Sequence, residues 1–257
     1  MGTPVPLTVF RWGYWGWGNA TPQLVQAVDA IEAARGFAPP VFVDARILRS
    51  VRAVGFRGNA FAEQLGNDRY IWMDGLGNLG VLHRTGGCHI NRPADAGRLL
   101  DLAETNAAEN RRVVFFCSCE IPLCNGQECH RVEVGRLVLA EAKRRKRSLV
   151  VVEWPGGTPT AVTLAVSADV VRKVRGGTKS VPLGKTLPAA DRLGLPWGTV
   201  AELTAPGNVG IAVLTGPARF GPPGWELPVA KVLSSDANRE AESTTLRAAH
   251  MYDPATT

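Results

Sequence analysis

Apolar positions in the first part of the chain follow two periods. Short runs at Leu7-Thr8-Val9-Phe10, Val41-Phe42-Val43-Asp44-Ala45, Tyr70-Ile71-Trp72-Met73, Val113 to Phe116 and Leu149 to Val152 have the length and the β-branched or aromatic content of strands. The second of these is apolar at consecutive positions, as a strand covered on both faces requires. Helical spacing separates the runs. Leu24, Val25, Val28 and Ile31 share a face between Thr21, read as a cap with Pro22 at the first helical position, and a closing Gly36. Further helices are predicted over Asn59 to Leu65, about Pro93 to Ala108 with Leu99, Leu100 and Leu102 buried, and His130 to Lys146 with Val132, Val134, Leu137, Val138 and Leu139 buried. Strands alternating with helices at this spacing predict an α/β fold with a doubly wound, mainly parallel, Rossmann-like sheet.

The pattern breaks at Pro155-Gly156-Gly157-Thr158-Pro159. Short β-like runs follow at Thr160 to Val166, Thr199 to Leu203, Val209 to Leu214 and Leu227 to Leu233. The expected division is therefore an α/β domain over 1–154, a small β-rich, barrel-like domain over 155–234, and a polar, partly disordered tail over 235–257.

Composition narrows the function classes. With 257 residues, 45% hydrophobic, the chain can bury one large core or two smaller ones. It has no apolar run as long as a membrane span, and Met1 to Pro6 lack the features of a signal peptide, so no membrane partner and a cytoplasmic location are expected. Thiols stay reduced there, and five cysteines then point to metal binding or catalysis rather than disulfides. The formal charge of +6 permits an anionic small molecule or nucleic acid as partner. Arg46, Arg49, Arg52 and Arg57 make the segment after the second strand cationic, whereas Lys143-Arg144-Arg145-Lys146-Arg147 also suits the C-terminal end of a helix dipole.

Four cysteines fall between Val113 and Arg131, where a strand end, a loop and a helix start converge. Such a junction at the carboxyl edge of an α/β sheet is a usual ligand site. Two chemistries fit. Cys117, Cys119, Cys124 and Cys129 could hold zinc or an iron–sulfur cluster, with Cys88 or His89 replacing one ligand, although the spacings are not those of a Cys-x-x-Cys knuckle. Alternatively, Cys129 at a helix N-terminus beside His130 and Arg131 could be a thiolate nucleophile. Asp44, Glu120 or His130 would then move protons, Arg46 and Arg131 would hold a phosphate, and Trp12 and Tyr14 would stack on a base or sugar. Simpler roles compete: Cys117 and Cys119 as small core residues, Asp44 and Arg46 as a buried ion pair, and at least half of the aromatic loop Trp12 to Trp17 as core.

Asp44-Ala45-Arg46, then Ser50, Arg52, Gly55 and Phe56, Leu76-Gly77, and Cys117 to Glu120 with Cys129-His130-Arg131 resemble the pattern of the domain of unknown function 488 family over about residues 7–152. The chain departs from that pattern in its second strand-end cysteine and in the insertion carrying Cys124. The resemblance implies the α/β fold and the location of the site, but no reaction. Val174 to Ser180, including Lys179 as a substrate-binding candidate, and Trp197 to Leu203 are similar to the Gly-x-Lys turn and later strand of ASCH and PUA-like barrels, which bind RNA or nucleobases; Pro182 and Gly184 depart from it. The reading is an enzyme whose Cys/His/Arg site acts on a nucleotide or nucleic-acid-derived substrate, or alternatively a non-catalytic zinc or iron–sulfur nucleic-acid-binding module.

Overall fold

The continuous apolar runs become the strands of one parallel sheet. A computed structural model describes residues 6–120, 122–124 and 127–230, without the side chains of Leu123, Cys124 and Gln127; the expected tail 235–257 lies outside the described residues. The chain divides into two compact units between Trp154 and Pro155. In the first, β1 (Leu7–Gly13), α1 (Thr21–Ala34), β2 (Ala38–Asp44), α2 (Ala60–Leu65), β3 (Tyr70–Trp72), α3 (Leu79–His83), α4 (Asp95–Ala108), β4 (Arg111–Cys117), the hairpin strands β5 (Leu123–Cys124) and β6 (Gln127–Glu128), α5 (His130–Arg144) and β7 (Leu149–Glu153) follow one another. Short 3-10 turns occupy Val54–Phe56 and Asp74–Leu76.

The sheet order is β3-β2-β4-β1-β7, with every pair parallel. Alternate residues serve its two faces. Val9, Val41, Val43, Val113, Phe115 and Val151 join Leu99 and Leu100 of α4 and Val134, Val138 and Ala142 of α5 in one cluster. Residues of the other parity are aromatic: Phe42 and Phe116 meet Phe61 edge-on, and Trp12 and Phe116 lean on Phe56. Each such side chain stabilises the fold by roughly 1.5–3 kcal/mol when fully buried.

The order of the strands positions the site. β1 and β4 are neighbours, yet the chain leaves β1 for α1, packed on β2, and leaves β4 for α5, packed on β7. The connections depart to different neighbours on either side of the point where Gly13 pairs in register with Cys117.

One expectation changes, and the basic run closes α5 as its place at a helix C-terminus suggested. Thr21 is the first helical residue and not a cap: Ala20 holds the cap position, and the buried Thr21 side chain packs where a methyl group on Gly55 would fall. The basic end of α5 is tied to neighbours, with Arg144 on Glu141 at 2.6 Å, Arg147 on Glu104 at 2.9 Å and Arg145 on Asp101.

In the second unit, β8 (Ala161–Ala165), α6 (Ala168–Arg175), β9 (Ser180–Gly184), α7 (Ala190–Leu193), β10 (Val200–Ala205), β11 (Asn208–Leu214), β12 (Arg219–Gly221) and β13 (Gly224–Ala230) build a mixed sheet of order β12-β13-β11-β10-β8, with β9 also on β13. Only β8 and β10 run parallel within it. Ser167 caps α6 by accepting from the Val170 N–H, and Val171 and Val174 are its buried face. Among the described residues, no helix is long and apolar enough to cross a membrane.

Candidate metal centre

Three side chains converge above Gly13, those of Cys117, Cys129 and His130, and Cys119 lies beside them. Cys117 is the last residue of β4, Cys119 lies two residues further on, Cys129 is the N-cap of α5, and His130 is its first residue. Cys117 and Cys129 are buried, with their sulfurs 3.3 Å apart. Cys129 Sγ lies 3.9 Å from His130 Nδ1, and the ligand atoms of Cys117, Cys129 and His130 all fall within 4.8 Å of one another. Cys119 is half-buried and close enough to influence both thiols, but it stands outside the 4.8 Å donor group.

The ring of His130 is held from behind. Its Nε2 lies 3.0 Å from the carbonyl oxygen of Ala45, the residue after β2. A carbonyl only accepts, so in the neutral ring Nε2 carries the proton and Nδ1 turns a lone pair toward the sulfurs. A backbone carbonyl behind a histidine is the arrangement that commonly orients a metal ligand.

Arg131 supplies the charge. It is fully buried, and its Nη1 donates to Cys117 Sγ at 3.3 Å and to the Cys119 carbonyl at 2.9 Å. Its Nη2 reaches the Glu120 carbonyl at 3.4 Å, and its Nε lies 3.1 Å from Glu153 Oε1, which also pairs with Arg11 at 2.8 Å. The close approach depends on Gly13, since a Cβ there would stand 1.6 Å from the Cys119 carbonyl oxygen and 2.7 Å from Arg131 Nη1.

These contacts separate the thiols. Burial alone would raise Cys117, but its neighbours Cys119 and Cys129 and the Arg131 guanidinium outweigh it and hold the thiol well below its ordinary value. Cys119 is pushed up to about 12, first by its hydrogen bond to Cys117. Cys129 is raised for the same first reason, with Cys119 and burial adding to it. The direction of the shifts makes buried Cys117 the most acidic of the three thiols.

The other candidate residues are placed differently. Asp44 is wholly buried and accepts from Arg46 Nε at 2.7 Å, Arg46 Nη2 at 2.5 Å and Tyr70 OH at 2.6 Å. Arg46 Nη1 donates to the Phe56 carbonyl at 3.0 Å and to Tyr14 OH at 3.3 Å. Burial would lower the Arg46 pKa, but Asp44 and Tyr14 outweigh it and raise it. With its donors engaged, Arg46 forms a buried ion pair and not the expected phosphate clamp, and Arg131 is engaged likewise. Trp12 and Tyr14, expected to face a ligand, are core residues: Trp12 packs edge-on against Trp154 and Phe116, and Tyr14 stacks on Phe56 with centroids 4.0 Å apart. Glu120 is exposed, and Lys179 is exposed in the second unit. Cys88 lies near Glu133, Arg136 and Glu128 and outside the donor group, while His89 is exposed. The side chain of Cys124 lies outside the described residues; its backbone pairs with Gln127 in the β5–β6 hairpin.

No family model, curated protein or solved structure matches the chain. The site is therefore argued from its own chemistry. Sequence reasoning assigned His130 to proton transfer and overlooked Gly13, Glu153 and the Ala45 carbonyl. The pairing of Cys129 and His130 at a helix start was the available signal for His130. Nothing local announces Ala45, whose role depends on β2 lying beside β4.

Proposed function

We propose that the first unit carries a structural zinc centre held by Cys117, Cys119, Cys129 and His130, and that the chain is a metal-stabilised binding protein. The carrying observation is the convergence of Cys117, Cys129 and His130 within 4.8 Å, with Nδ1 aimed inward by the Ala45 carbonyl. Ligand bonds of ordinary length to a tetrahedral zinc put two sulfurs roughly 3.8 Å apart and a sulfur and nitrogen roughly 3.6 Å apart. The observed 3.3 and 3.9 Å lie within about half an ångström of these separations. Three thiolates and zinc leave a net negative charge, and the buried Arg131 beside Cys117 is placed to balance it.

Nucleophilic catalysis has less support, because it needs a reachable thiolate. Cys117 is 0% and Cys129 4% exposed. The same reading takes in the finer fold: a doubly wound sheet of the kind the resemblance to the domain of unknown function 488 family implies, with the centre at its switch point, and a barrel-like second unit.

Metal analysis of protein purified without chelator tests the proposal. About one zinc per chain is expected, with loss of it in Cys117→Ser and in His130→Ala. A zinc-free protein whose melting temperature is indifferent to added zinc and to chelator would overturn it. Visible absorption from bound iron would replace zinc with a cluster.

A further inference from the structure

The segment between β2 and α2 presents a surface that the metal centre does not use. From Ala45 to Ala62 the chain carries Arg46, Arg49, Arg52 and Arg57 and no carboxylate; the next one along is Glu63. Arg46 is buried, but Arg52 and Arg57 are exposed. Asp74, close behind β3, is already paired with Arg92 at 2.6 Å.

Exposed aromatic rings stand at both ends of this segment. At its start, Trp72 is 42% exposed, anchored by its Nε1 donating to the Arg46 carbonyl at 2.9 Å, and the Arg49 guanidinium lies over its ring at 4.1 Å. At its far end, the Gly55 N–H donates to the Gly18 carbonyl at 3.2 Å and Phe56 stacks on Tyr14, which brings the segment against the loop carrying Trp15. Trp15 is 61% exposed, although Trp12, Tyr14 and Trp17 of the same loop are core. Exposed rings at two places beside Arg49, Arg52 and Arg57 combine the stacking surface and the positive charge that a flat, anionic partner would use.

We propose that this edge of the first unit binds single-stranded nucleic acid, with Trp15 and Trp72 stacking on bases and Arg49, Arg52 and Arg57 following the phosphates. Bases of every kind have a face to stack, so the contact is expected to be tolerant of sequence. A duplex keeps its bases stacked on each other and offers these rings nothing. An acidic peptide satisfies the arginines but not the tryptophans. The proposal is independent of the zinc reading: a zinc-free protein that binds through these residues would sink only the zinc reading.

The test is fluorescence anisotropy of the full chain with a labelled oligothymidine of about a dozen nucleotides, across a salt series. Binding that weakens as salt rises is expected, with Trp15→Ala weakening it about tenfold, in line with loss of one stacked base. Arg52→Glu with Arg57→Glu should weaken it further and reduce the salt slope by about one per arginine removed from a phosphate. Arg172→Glu with Lys173→Glu, a charge change of equal size on α6 of the second unit, should leave it unchanged. All four residues are exposed, but Arg57 donates to the Val51 carbonyl at 2.8 Å and both α6 residues pair with Asp169, so affinities are compared between variants whose melting curves show them folded. Were Trp15→Ala to unfold the protein, the double arginine variant would decide alone. Equal binding of duplex or of polyglutamate, no effect of Trp15→Ala in a folded protein, or equal loss in the α6 variant would each overturn the proposal.

Discussion

Two buried arginines stand at the tops of neighbouring strands in very different company. Arg46, beyond β2, meets a carboxylate: Asp44 takes two of its nitrogens, Phe56 and Tyr14 the third, and Tyr70 the remaining Asp44 valence. That group of polar atoms is complete. Arg131, beyond β4, meets a carboxylate only through Nε, and its other nitrogens go to Cys117 Sγ and to two carbonyls. Around that sulfur stand the Cys129 thiol at 3.3 Å and an imidazole nitrogen with a lone pair, with Cys119 beside them. A closed ion pair gives a strand end its shape; an open set of soft donors gives it a ligand.

The contrast breaks first at Asp44. Asp44→Asn leaves Arg46 buried with too little compensation and is expected to destabilise the first unit by about 3–5 kcal/mol, read by urea unfolding. A loss below about 1 kcal/mol would mean that the Asp44 cluster is no more closed than the cysteine cluster.

The centre itself is sharpened by adding and removing metal. Zinc at a thousandfold excess over its dissociation constant stabilises the folded state by about 4 kcal/mol, and this increment should vanish in Cys117→Ser. In chelator the two proteins should differ by much less. An undiminished zinc effect in Cys117→Ser would remove that cysteine from the ligand set.

Gly13→Ala comes next. Its methyl group would strike backbone at Cys119, which cannot swing aside as a side chain tip does. A cost of about 1–3 kcal/mol is expected, together with weaker zinc binding, because the Cys119 loop must move away from Arg131. Unchanged zinc affinity would show that the loop's position is immaterial to the site.

The smallest effect is the pH dependence of the metal-free protein, read in chelator. Unfolded thiols titrate near their ordinary value of 9.0. Below that pH, folded Cys117 has already lost its proton, so the unfolded state binds more protons and stability rises with pH. Above it, Cys119 keeps its proton up to about 12 while the unfolded chain does not, so stability falls. Each group contributes a slope of at most about 1.4 kcal/mol per pH unit. A stability that declines steadily from neutral pH upward would remove the buried thiolate and its pairing with Arg131.

The strands of the first unit were legible because Val41-Phe42-Val43 and Val113 to Phe116 are apolar on both parities, and only a sheet with two covered faces needs that. α4 and α5 were legible from the spacing of Leu99, Leu100, Val134 and Val138. In the second unit, β9 and β12 are too short for a period to show, and α6 was missed although Ser167, Val171 and Val174 carry a cap and a face. At the site, residue type spoke and pairing did not. Arginines beside acids and cysteines look alike in a sequence, and only the order β2-β4-β1 decides which meets which. Aromatic residues in a glycine loop divide the same way: Trp15 is exposed and Trp12, Tyr14 and Trp17 are buried, and beyond the end of β1 at Gly13 no alternation assigns them a face.

The single hydrogen bond from His130 to Ala45 joins what would otherwise be separate. Ala45 is gripped from both sides, its N–H donating to Phe116 and its carbonyl accepting from His130, and the cationic segment begins at the next residue. An ion that fixes the imidazole thereby fixes the root of that segment, and thermodynamic reciprocity requires the converse. An oligonucleotide held along the arginines should lower the dissociation constant of zinc by the same factor by which zinc lowers that of the oligonucleotide.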